Sequence, residues 1–81
     1  MTKAEIIEKV NSILMENFDL TLDQLKPDAH LIQDLHLDSL DAVDMLVHLE
    51  ENLGKKLNVE KLREAHTLQD VYTLVEEIVR A

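Results

Sequence analysis

Asp38-Ser39-Leu40 is the stretch of this chain whose residue types could do chemistry. Ser39 offers a hydroxyl, with His36 and His48 nearby in sequence. A serine nucleophile needs a base in hydrogen-bond reach and a site for the oxyanion. No Gly-x-Ser-x-Gly elbow surrounds Ser39, so a hydrolase is not expected and no catalytic residue is assigned. Metal chemistry has no better footing. There is no cysteine to supply a thiolate, and His30, His36, His48 and His66 form no His-x₃-His pair. The aspartates lack the EF-hand spacing with its central glycine. Cation binding by these carboxylates would be charge relief, and no metal site is assigned.

What must position Ser39 is a helix within the stretch from Gln33 to Gly54. Asp38 is a good N-cap, with Asp41 three residues later as a weaker capping-box partner, and Gly54 is a natural stop just beyond Leu53. Each residue turns the helix by about 100°. Ala42, Met45, Leu46, Leu49 and Leu53 therefore share one side, the core stripe. Leu40, Val43 and Val47 fall on roughly the opposite side, among Asp41, Asp44, His48, Glu50 and Glu51. A helix that only had to pack would not need this second stripe, although small apolar spots on a monomer surface are common.

The Asp-Ser-Leu motif at the start of a second long helix, mid-chain in a small acidic domain and followed by Leu-Asp-Ala-Val-Asp-Met-Leu-Val-His-Leu-Glu-Glu, resembles the acyl carrier proteins. The resemblance covers nearly all 81 residues and is clearest from Asp28 to Glu51. It implies a 4′-phosphopantetheine arm on Ser39, installed by a phosphopantetheinyl transferase (holo-acyl carrier protein synthase), with Asp38 helping to place the divalent metal. It also implies a non-catalytic carrier, whose arm holds acyl intermediates as thioesters for fatty acid or related lipid and polyketide biosynthesis. The implied partners are acyltransferases, ketosynthases and other acyl-processing enzymes with basic docking patches.

Physical reasoning accommodates these roles. Ser39 directly follows the cap, so a phosphodiester on its hydroxyl lies near free backbone N–H groups and the positive end of the helix dipole. Between Lys26 and Lys55 there is no lysine or arginine, while Asp28, Asp34, Asp38, Asp41, Asp44, Glu50 and Glu51 all fall in that interval. Leu40, Val43 and Val47 would form an apolar centre, and Asp41, Asp44, Glu50 and Glu51 its acidic rim. Many fatty-acid carriers have glycine where this chain has His36, and a proline before an acidic run where it has Asn58-Val59-Glu60. The pathway therefore stays open between the main fatty-acid carrier and a specialised one. Peptidyl carriers tend to have Gly-Gly-x-Ser instead. The alternative from another class is an unmodified acidic helical module that binds a basic protein.

Composition sets the wider frame. Eight basic against seventeen acidic residues give a net charge of −9, which argues against nucleic acid or anionic membranes as partners. No apolar run approaches the ~20 residues of a membrane span, and no signal-peptide h-region opens the chain. A cytoplasmic monomer is expected, or one in an organelle matrix after loss of a leader. Residues 1–81 read as one domain, too short for two cores. Thr2 and Glu5 predict a capping box for a first helix carrying Ile6, Ile7, Val10, Ile13 and Leu14 inward, closed by Phe18. From Asp19 to Leu37 the periodicity breaks. Thr21 and Gln24 suggest a short turn ended by Pro27, and the leucines of this connection, with Ile32, are too many for a free linker. Asn58 caps a short helix through Glu64, and Thr67 with Asp70 opens a last one along Leu68, Val71, Tyr72, Val75, Ile78 and Val79. The expected fold is all-α: a small four-helix bundle, three longer helices plus one short helix, with a long first loop.

Overall fold

The computed structural model describes residues 2–80. Thr2 opens α1 (Lys3–Asn17) with the capping box expected there: the Glu5 N–H donates to the Thr2 hydroxyl at 3.2 Å, and the Thr2 N–H donates to the Glu5 carboxylate at 3.0 Å. α2 (Ser39–Leu53), the short α3 (Val59–Glu64) and α4 (Leu68–Arg80) follow. α1 packs on α2 and α4, and α3 touches both of those. Among the described residues the only extended pairing is an isolated antiparallel bridge between His30 and Thr67. The architecture is the expected one, with a single aliphatic core inside 30 × 24 × 20 Å.

Each helix contributes the stripe its spacing predicts, because burying one apolar face is what stabilises helices this short. Ile6, Val10, Ile13 and Leu14 of α1 meet Met45, Leu46 and Leu49 of α2 and Leu68, Val71, Tyr72 and Val75 of α4 in one cluster. Leu74 is buried as well. One polar pair interrupts this core: the Tyr72 hydroxyl donates to the Asn11 side-chain oxygen at 2.5 Å. Burial pushes the Tyr72 phenol above its ordinary value, so it stays a donor.

The long first loop is held down rather than draped. Leu25, Ala29, Leu31, Leu35 and Leu37 are buried, whereas Leu22 and Ile32 stand about two-thirds exposed, at 63% and 65%. Backbone bonds explain the anchoring. The Leu68 and Gln69 N–H groups, at the start of α4, have no partner within their own helix and donate instead to Ala29 O at 3.0 Å and Pro27 O at 2.9 Å. Leu31 N–H donates to His66 O at 2.9 Å. The expected turn is present as a 3₁₀ segment, Leu22–Gln24, in which the Thr21 N–H donates to the Gln24 side chain at 2.9 Å.

Candidate functional site

The loop delivers the chain to Ser39 through a turn over residues 31–35. His30 caps that turn with its ring: Nδ1 accepts from the N–H groups of Ile32 and Gln33 at 3.3 and 3.2 Å. Asp34 returns the bond, accepting from the His30 N–H at 2.7 Å. At the far end Leu37 N–H donates to Leu31 O and His36 N–H to Ile32 O, two nested bonds that close the turn, with His36 left-handed at φ 57°. That conformation costs a side-chain-bearing residue but not glycine.

Asp38 then caps α2. Its Oδ1 accepts from the Asp41 N–H at 2.9 Å, while Oδ2 of Asp41 accepts from the Asp38 N–H at 3.1 Å, a complete capping box. Gly54 ends the helix at φ 66°, its N–H donating to Glu50 O at 2.9 Å. Ser39 is the first residue of α2 and is exposed. The N–H groups of Ser39 and Leu40 lie in the first turn, where no carbonyl of their own helix is available to them. Neither His36 nor His48 hydrogen-bonds to Ser39 among the described residues, and the His48 ring instead lies 3.6 Å from Asp44. The Ser39 residue is exposed at the surface.

Beside Ser39 is a cavity of about 180 Å³. Leu31 and Leu37 of the loop, Ala42 and Met45 of α2, and Leu62 and Ala65 at α3 give it an apolar lining. Asp38, Ser39 and Arg63 are the polar residues at it.

The second stripe on α2 is real but uneven. Leu40 is 79% exposed and Val47 45%, while Val43 is half-buried. Asp44 and Glu51 are exposed, Asp41 is half-buried and occupied by capping, and Glu50 is half-buried with Oε2 accepting from the Leu57 N–H at 2.8 Å. Two of the four expected rim carboxylates therefore also hold the fold together, Asp41 in the capping role that its spacing predicts and Glu50 in a use that its spacing alone did not reveal. Among the described residues no three His, Asp or Glu side chains gather as a metal site, and no helix is long and apolar enough to cross a membrane.

The model of the phosphopantetheine attachment site family matches residues 8–75. Acyl carrier protein 2 of Ralstonia nicotianae is 38% identical over 81 residues, the whole of both chains. The chain belongs to the acyl carrier protein family. The acyl carrier protein of Thermosynechococcus vestitus is 33% identical, again over all of both chains. Acyl carrier protein 5, chloroplastic, of Arabidopsis thaliana is 36% identical over 78 residues, which is 96% of this chain and 56% of that one. The prosthetic group of the family is a covalently bound 4′-phosphopantetheine, and the start of α2 fits it. An exposed hydroxyl, unpaired helix N–H groups and an adjacent apolar cavity meet the needs of a phosphodiester that bears a long, partly apolar arm.

Proposed function

We propose that Ser39 carries the 4′-phosphopantetheine arm and that this protein hands acyl intermediates between enzymes of fatty acid or related lipid or polyketide biosynthesis. The observation that carries this reading is the exposed Ser39 hydroxyl at the first position of α2, beside the cavity and inside the span matched by the attachment family. The arm's terminal thiol supplies the thioester chemistry. The chain's own residues bind and present.

Asp38 spends one carboxylate oxygen on its cap and keeps the other for the divalent metal of a phosphopantetheinyl transferase. Leu40, Val43 and Val47 form the apolar centre of the docking face. Asp41, Asp44, Glu50 and Glu51 give it the negative field that steers it to basic patches around the active sites of acyltransferases and ketosynthases. The cavity suits an apolar stretch of the arm or of the acyl chain it bears, since seven of its ten lining residues are apolar. A single 1–81 domain acting as a cytoplasmic monomer completes the reading.

Incubation of wild type and Ser39→Ala with a transferase and coenzyme A tests it. The wild type should gain the mass of the arm and the variant should not, with equal helical circular dichroism. Labelling that persists in Ser39→Ala would refute the assignment, and a wild type that stays unmodified would leave an acidic binding module.

A further inference from the structure

Arg63 is the one cation that lines the cavity beside Ser39. It comes from α3, where Leu62 is turned into the core at 1% exposure and Arg63, about 100° further round the helix, emerges at the cavity. Asp38 and Ser39 reach the same cavity from the start of α2, and the rest of the lining is apolar. Among the described residues Arg63 has no carboxylate within ion-pair distance, although Asp38 shares the cavity and Glu60 and Glu64 share its helix. The other arginine of the chain, Arg80, is paired with Glu76 at 3.3 Å.

A phosphodiester on Ser39 would add a negative charge beside Asp38 and Asp41, in a stretch that holds no lysine or arginine from Pro27 to Gly54. The first turn of α2 offers only its unpaired N–H groups and the partial charge of the helix end in compensation. A cation from another element is what the place needs. A guanidinium presents a planar fork of donors matched to phosphate oxygens, which an ammonium does not.

We propose that Arg63 binds the phosphate of the arm carried at Ser39 and so lays the arm along the apolar cavity instead of outward into solvent. This rests on Ser39 being the attachment point. Arg63 thereby anchors the arm between turnovers, and an approaching enzyme that draws the arm out must replace this contact.

The chain has two arginines, so the Nε–H correlations of the ¹⁵N-labelled protein contain an internal control. Unloaded and loaded forms of wild type, Arg63→Gln, Arg63→Lys and Lys61→Gln should be compared by these spectra and by ³¹P NMR, with loading verified by intact mass. On loading, the Arg63 Nε–H signal is expected to move several-fold further than that of Arg80, and the displacement should shrink as salt is raised. The ³¹P line of the loaded protein should narrow towards that of a mobile diester in Arg63→Gln, narrow less in Arg63→Lys, and stay unchanged in Lys61→Gln. An Arg63 signal that does not move in protein whose mass shows the arm, or an equal ³¹P change in Lys61→Gln, would overturn the proposal. If the wild-type mass shows no arm at all, the failure belongs to the Ser39 assignment.

Discussion

His36 holds a left-handed backbone, φ 57°, two residues before Asp38, and closes the turn that aims the chain into α2. A side-chain-bearing residue pays roughly 1–2 kcal/mol in that region, part of which glycine returns as extra freedom of the unfolded chain. His36→Gly should therefore stabilise the protein by roughly 0.5–1 kcal/mol in denaturant melts, without changing how Ser39 is presented. A loss of stability would mean that the imidazole makes a contact worth more than the strain. The same geometry explains why many fatty-acid carriers have glycine there. His36 is a local cost that the turn tolerates, and the cap of α2 at Asp38 is complete beside it.

At the scale of the element, α2 carries two apolar faces, one packed in the core and one exposed. Leu49 is wholly buried, whereas Val47, two residues earlier and about 200° away round the helix, is 45% exposed. Leu49→Ala should cost roughly 2–5 kcal/mol, the range for a buried leucine cut to alanine, and Val47→Ala should fall within about 0.5 kcal/mol, as for an ordinary surface change. Urea melts of the two variants check this, and comparable losses would mean that both faces are packed. These faces were legible in the sequence, as were the caps at Thr2, Asp38, Asn58 and Thr67, because helical periodicity and capping chemistry are local. The connection between α1 and α2 was legible only in outline. His30 caps its turn with an imidazole, where serine, threonine, aspartate or asparagine is the usual signal. The loop's hold on α4 runs through the backbone carbonyls of Pro27 and Ala29, which no side-chain pattern reports. The Asn11–Tyr72 hydrogen bond joins residues 61 apart in sequence, and the second role of Glu50 depends on where residue 57 returns. For the site, the motif pointed to Ser39 and Asp38, but nothing in the chain order placed Arg63 beside them.

Over the whole molecule the decisive quantity is the distribution of charge. A net −9 concentrated around α2 should speed encounter with basic surfaces, an effect that falls as salt rises. Asp44 and Glu51 are the residues with which to test it, since both are exposed, whereas reversing Asp41 or Glu50 would also break a hydrogen bond of the fold. Asp44→Lys with Glu51→Lys should slow modification by the transferase about 10-fold or more at low ionic strength, through association rate, and much less at high salt. Stopped-flow or discontinuous labelling assays at two ionic strengths measure it. Unchanged rates at low salt would remove this face as the docking surface.

The central claim is that the arm is attached at one atom, the Ser39 hydroxyl oxygen. The chain contains only one other serine, Ser12, which lies on α1. Fragmentation mass spectrometry of the protein after incubation with transferase and coenzyme A separates the two directly. The expected result is the whole added mass on fragments that contain Ser39, and none on those that contain Ser12. Added mass on Ser12 or elsewhere, with Ser39 unmodified, would contradict it.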